Sequence, residues 1–147
     1  MIELNHRWLF RYRINIGTNG LLYFSDKVQK YIKKNKSHLG IGITVDGNKE
    51  LHDKCRIDLN GNGSYDRAIA ALLHYESTYH EYGTSKITIS PDNIEYFYDS
   101  TVDLLQKELY DCIYANCVYE KGWTLDHAKI LYNQLKFLAD YLLENNL

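Results

Sequence analysis

Apolar residues along this chain change their spacing from two to three-or-four and back again, four times over. That alternation of strand-type and helix-type period constrains the fold more than any other feature. Strands separated by crossover helices pair in parallel, with right-handed connections. Arg11–Ile16 alternates and stops at Gly17-Thr18-Asn19-Gly20, which reads as a strand running into a loop. Ser25 then precedes a segment in which Val28, Tyr31 and Ile32 share one helical face and lysines the other. Leu39–Val45 is the next strand, with Gly40 and Gly42 at alternate positions, a pattern that marks close approach by another group. A long loop is expected after Asp46-Gly47, punctuated by Asn60-Gly61-Asn62-Gly63. Ser64 opens a helix carrying Ala68, Leu72, Tyr75 and Tyr79, and Gly83 stands where a C-terminal cap belongs. Lys86–Ser90 reads as a third strand. Pro91-Asp92 starts a helix with the stripe Ile94, Phe97, Tyr98, Thr101, Leu104 and Leu105. Cys112–Val118 reads as the fourth strand, and Thr124 caps a final helix with Leu131, Leu135, Leu138 and Leu142 on its buried side.

The expectation is thus an α/β fold of about four βα units with a parallel sheet. Four units fall short of the eight of a closed (β/α)₈ barrel, leaving a small open domain or a part of a larger barrel. A length of 147 residues, 45% hydrophobic and 24% charged, suits one domain over 1–147. Residues 1–9 form a lead-in, and 10–147 hold the four units, with no cysteine-rich cluster domain. Seventeen Lys and Arg against nineteen Asp and Glu give a net charge of -2, which argues against a nucleic-acid partner. No apolar run approaches the roughly 20 residues of a membrane helix. Met1–Arg7 does not read as a secretory leader, and three cysteines form no disulfide framework, so a cytoplasmic location is expected. Fourteen tyrosines carry apolar bulk with a polar tip and belong at core margins.

In parallel α/β folds ligands meet the carboxyl ends of the strands. Those ends here are Thr18-Asn19-Gly20, Thr44-Val45-Asp46-Gly47, Ser90-Pro91-Asp92-Asn93 and Asn116-Cys117. Their composition fits a ligand-binding rim and equally fits ordinary turn chemistry. Asn60–Ser64 lacks the Lys-Ser/Thr ending of a phosphate loop, and Asp58–Gly63 lacks the distal Glu of a calcium loop. Cys112 and Cys117, five apart on a strand, point to opposite faces, so no metal site is expected.

A more specific pattern lies in Ile43-Thr44-Val45-Asp46-Gly47-Asn48-Lys49-Glu50-Leu51-His52-Asp53-Lys54-Cys55-Arg56, followed by Gly63-Ser64-Tyr65-Asp66-Arg67-Ala68-Ile69. It resembles the fourth strand and following loop of radical S-adenosylmethionine enzymes, in particular the SPASM-type peptide maturases that include anaerobic sulfatase-maturating enzymes. Gly17–Gly20 is similar to the end of the family's third strand, Lys86–Ile94 to its fifth, and Asn116–Glu120 to its sixth. The resemblance implies the later part of a partial (β/α)₆ TIM-like barrel. It implies cofactor-binding roles for Asn19, Thr44, Asp46 and Arg56. Thr44 stands where the family has a Ser or Thr against S-adenosylmethionine, and Arg56 where an Arg meets the methionyl carboxylate. For Asp46, turn formation and cofactor contact both stay open.

The family's Cys-x₃-Cys-x₂-Cys motif, which holds a 4Fe–4S cluster, does not occur here. The chain is therefore expected to be a fragment or truncated relative of such a maturase, inactive alone and lacking the cluster. The alternative is a non-catalytic protein- or peptide-binding α/β module. A peptide or protein substrate is implied by the resemblance. Self-association, or pairing with a missing N-terminal half, is implied by an open sheet edge at Arg11–Ile16, unless Ile2–Leu9 covers it.

Overall fold

The computed structural model describes residues 12–119 and 122–147. The order is β1 (Ile14–Thr18), α1 (Asp26–Asn35), β2 (Leu39–Ile43), α2 (Lys49–Cys55), α3 (Tyr65–Tyr79), β3 (Gly83–Ile89), α4 (Phe97–Gln106), β4 (Tyr110–Cys117) and α5 (Leu125–Glu144). Short 3-10 turns at Lys36–His38 and Ile94–Tyr96 lead into β2 and α4. The expected lead-in Ile2–Leu9 lies outside the described residues.

Among the described residues the named strands pair in parallel, as crossover helices require. β1 pairs with β2, from Ile14 opposite Leu39 to Thr18 opposite Ile43. β3 pairs with β4 through Ile89 opposite Cys117, with an irregularity between Gly83 and Thr84. Among the described residues these are two two-stranded sheets rather than one continuous sheet, and the barrel is not closed. The sheets still abut, because the Ser85 hydroxyl donates to the Val45 carbonyl at 2.6 Å.

Strand alternation sorts the two faces. Leu39, Ile41, Ile43 and Val45 are buried under the helices, as are Ile87 and Ile89 from β3. α3 adds Ala68, Ala71, Leu72 and Tyr75 to this core, the 3-10 turn before α4 adds Ile94, and α4 adds Phe97 and Leu104. Asn15, Gly17, Thr84, Lys86 and Thr88 alternate out of phase and are exposed on the other face. Gly40 and Gly42 belong to that face. What approaches them closely is the protein itself: a Cβ at Gly40 would overlap Asn15, and one at Gly42 would stand 3.0 Å from the Thr84 hydroxyl.

Several expectations need correcting. The segment after Gly47 is not a long loop, since Lys49–Cys55 forms α2, capped by the Asn48 side chain accepting from the Leu51 amide at 3.0 Å. Gly83 does not cap α3. His80 does so in the left-handed conformation (φ 53°), and Gly83 opens β3, where Leu72 leaves no room for a Cβ. The final helix buries its leucines only in part: Leu131, Leu138 and Leu142 are half-buried and Leu135 is exposed. Three tyrosines, Tyr23, Tyr65 and Tyr75, enter the core instead of its margin. The Tyr75 hydroxyl is satisfied there by donating to Glu81 at 2.9 Å and accepting from Lys36 at 2.9 Å.

Candidate functional site at the carboxyl end of β2

The carboxyl ends of β1 and β2 stand level, and the Thr44 amide donates to the Thr18 carbonyl at 2.9 Å. Thr44 is half-buried directly beyond β2, and Asp46 follows at 6% exposure. Gly47 then takes φ +110°, and a Cβ there would stand 2.5 Å from that of Ser100, so the turn admits only glycine. α2 runs away from the strand end and returns the chain to it. Arg56, the residue after α2, ion-pairs through Nε with Asp46 Oδ2. The ten-residue separation is bridged by one short helix, which sequence spacing alone does not show.

The pair is asymmetric. The Asp46 side chain is 8% exposed and that of Arg56 34%, so the guanidinium faces solvent while the carboxylate lies behind it. Asp46 Oδ1 is buried without a hydrogen-bond partner among the described residues. A carboxylate ligand would meet the terminal nitrogens of Arg56, since Nε is committed to Asp46. Of the two residues, Asp46 is the one that orients and Arg56 the one that can touch a ligand. Asn19 lies at the same strand ends but stays outside this pair, its side chain accepting from the Leu21 amide at 3.2 Å in a local turn.

The return segment is held by Ser64, expected only as a helix start, and by His52 and Asp53, which received no role from the sequence. His52 is 1% exposed, and its Nδ1 accepts from the Asp46 amide at 3.1 Å. Its Nε2 stands 3.0 Å from the Ser64 hydroxyl, which donates to the Arg56 carbonyl at 2.9 Å. Burial pushes the His52 imidazole below its ordinary pKa, and Arg56 pushes the same way. The Asp46 and Asp53 carboxylates oppose the shift only in part. Asp53 accepts from the Tyr65 amide at 2.8 Å, capping α3 from outside, and a Cβ at Gly63 would overlap its carboxylate. The quoted motif contained all of these residues; only the twelve-residue reach of His52 and Asp53 was hidden.

The polar Asp58–Gly63 segment closes on itself. Asp58 accepts from the Asn60 and Asn62 amides at 2.9 Å each and pairs with Arg67 at 2.9 Å. That is a turn rather than a cation loop. The donor set does not suit an iron–sulfur cluster either. Cys55 and Cys117 are exposed, and Cys112 and Cys117 lie on opposite faces of β4. Among the described residues no three His, Cys, Asp or Glu side chains gather to hold a metal. No helix among them is long and apolar enough to cross a membrane.

Toward the amino ends of the strands, a cleft of about 680 Å³ is lined by Arg13, Asn15, Gly40, Gly42, Thr84 and Tyr114. Arg13 and Lys36 converge on Glu81 at its edge, at 2.7 and 2.5 Å. In parallel α/β folds ligands meet the carboxyl ends of the strands, which lie away from this cleft.

No protein-family model matches the chain. A cysteine-type anaerobic sulfatase-maturating enzyme from Clostridium novyi (strain NT) is 38% identical over 58 residues, covering 40% of this chain and 15% of the relative. Among solved structures, anSMEcpe with bound AdoMet superposes with a TM-score of 0.71 at 19% identity, over 98% of this chain and 39% of that one. The same enzyme with AdoMet and the Cp18Cys peptide gives a TM-score of 0.71 at 19% identity, over 98% and 41%. At that identity the superposition is a statement about fold, and this chain spans well under half the length of each of these proteins. Over 58 residues the chain is thus similar in sequence to a sulfatase-maturating enzyme, and over nearly its whole length it shares the fold of anSMEcpe.

Proposed function

We propose that this chain forms the later wall of a radical S-adenosylmethionine barrel of the sulfatase-maturase type, with the carboxyl end of β2 as the seat of the cofactor's methionyl carboxylate. One observation carries the reading: α2 returns the chain so that the partly exposed Arg56 guanidinium is held at the end of β2 by a buried Asp46. A bidentate guanidinium matches a carboxylate in shape as well as charge, which an ammonium does not. Thr44, beside it on the same strand end, and Asn19, on the adjoining one, are the further cofactor contacts in this reading. When bound within the complete site, the cofactor supplies the radical chemistry. Arg56 binds and orients its carboxylate, Asp46 fixes Arg56, and the half-buried Thr44 bounds the pocket.

The cysteines do not fit a 4Fe–4S cluster, so no step of the reaction is assigned to this chain alone. Its part is binding and orientation, with a peptide or protein as the substrate class, as in the anSMEcpe complex that holds a peptide. Without a chelating iron, the isolated chain binds S-adenosylmethionine weakly, at roughly 0.1 mM or above. Calorimetry tests this: weak heats lost in Arg56→Ala support the site, because each charged hydrogen bond contributes about 1.5–3 kcal/mol. Micromolar affinity that persists in Arg56→Ala contradicts it.

A second reading, a non-catalytic peptide-binding module, draws on the exposed sheet face bearing Thr84, Lys86, Thr88 and Tyr114. It requires peptide binding on that face with no response to S-adenosylmethionine at Thr44 or Arg56.

A further inference from the structure

The ion pair at the end of β2 is joined a second time, through the backbones of both its members. The Asp46 amide donates to His52 Nδ1, which leaves the ring proton of the neutral imidazole on Nε2. Nε2–H therefore donates to the Ser64 hydroxyl, and that hydroxyl donates in turn to the Arg56 carbonyl. The Arg56 amide in turn donates to the His52 carbonyl at 2.8 Å. Asp46, His52, Ser64 and Arg56 thus form one connected circuit, and each bond in it has a single permitted proton direction.

We propose that His52 is a positioning residue for Arg56: its ring, working through Ser64, fixes the backbone on both sides of the Asp46–Arg56 pair and so aims the guanidinium. This rests on the reading that Arg56 holds a ligand carboxylate, and it deepens that reading by naming what sets the arginine's orientation. The circuit needs a neutral ring. A proton on Nδ1 would set an imidazolium N–H against the Asp46 amide, donor against donor, and open the circuit at its first bond.

The groups facing the ring fix the sense of its pH response. Asp46 and Arg56 approach from the strand end, Asp53 from its own helix, and from α3 the Ser64 hydroxyl and the edge of the Tyr65 ring, at 5.7 Å between centroids. Burial and Arg56 favour the neutral form, and the two carboxylates do not offset them. A histidine with a depressed folded pKa contributes its full stabilisation above its unfolded value of about 6.5. That contribution is lost as pH falls through the folded value. The clamp is closed at neutral pH and opens on acidification.

The test is exchange of the Arg56 Nε–H in the isolated chain, followed by NMR. The Trp123 indole N–H, which donates to the Val118 carbonyl at 2.9 Å, is the distant control. In the wild type, Arg56 Nε–H exchange, corrected for the intrinsic pH dependence, should be slow at neutral pH. It should quicken as His52 protonates. His52→Gln keeps a donor near Nε2 but loses the acceptor for Asp46, and Ser64→Ala cuts the circuit at its middle. Each should quicken Arg56 exchange about fivefold to tenfold, the effect of one buried hydrogen bond, with Trp123 unchanged. His52→Asn, which keeps an acceptor near Nδ1, should recover part of the protection. Arg56 exchange indifferent to His52→Gln, to Ser64→Ala and to acidification overturns the proposal. So does equal quickening at Trp123, which reports general loosening. If exchange responds as stated while S-adenosylmethionine leaves every resonance unmoved, the positioning role stands and the ligand reading falls.

Discussion

Asp53 shows how a short-range motif can do long-range work. Its carboxylate accepts from the first amide of α3, twelve residues on, and so replaces the Ser64 side chain, which is turned toward His52 and makes no cap hydrogen bond. Asp53→Ala should cost about 1 kcal/mol, the ordinary loss of a helix cap. Urea unfolding followed by circular dichroism measures it, and an unchanged midpoint would remove Asp53 from this role. The residues of the site were visible in the sequence as a pattern; their division of labour was not. Arg56 could be assigned from chemistry, because a guanidinium suits a carboxylate. His52, Asp53 and Gly63 act on partners ten or more residues away, except for the His52–Asp46 bond. No periodicity encodes that.

At the scale of elements, the alternation of periods was legible because α3, β3 and α4 each bury one face, which is what a periodic pattern records, and because glycines alternate with the apolar residues of β2. α2 was not legible. Its seven residues make about two turns, and Leu51 and His52 are its only buried side chains, too few to draw a stripe. The division into two sheets was hidden for another reason, since strand pairing is a long-range property. α5 gave its leucine stripe and its cap plainly: Thr124 accepts from the His127 amide at 3.3 Å, and His127 returns a bond to the Thr124 amide. With no fully buried residue, α5 depends on that cap more than the core helices do. Thr124→Ala should cost about 1 kcal/mol, read as faster amide exchange through the first turns of α5 with β2 unaffected. Equal protection in the variant would contradict this. β1 pairs with β2 along one edge, and Asn15, Ile16 and Gly17 are exposed. Among the described residues no strand pairs with the other edge of β1, and an edge left open recruits a further strand. Light scattering should therefore find self-association at high protein concentration, and a clean monomer there would contradict it.

At the scale of the whole molecule, composition and charge say only that the chain is slightly acidic, and no helix among the described residues is long and apolar enough to cross a membrane. Parallel strands divide the work between their two ends, with ligands met at the carboxyl ends. The amino ends of the strands carry the Arg13–Lys36–Glu81 cluster, where the two cations and the Tyr75 hydroxyl hold the Glu81 carboxyl below its usual range despite partial burial. The carboxyl ends carry the Asp46–Arg56 pair. Dispersed cysteines mean that anaerobic reconstitution with iron and sulfide should leave the isolated chain without a stoichiometric cluster; about four irons per chain, with the matching absorbance, would contradict that. The most direct test of the central claim is an NMR titration of the chain with S-adenosylmethionine into the millimolar range. Fast-exchange shifts should concentrate at Thr44, Asp46 and Arg56 and at the adjoining Asn19, with saturation at roughly 0.1 mM or above and loss of the response in Arg56→Ala. Shifts centred instead on the Arg13–Glu81 end, or no shifts at all, would contradict it.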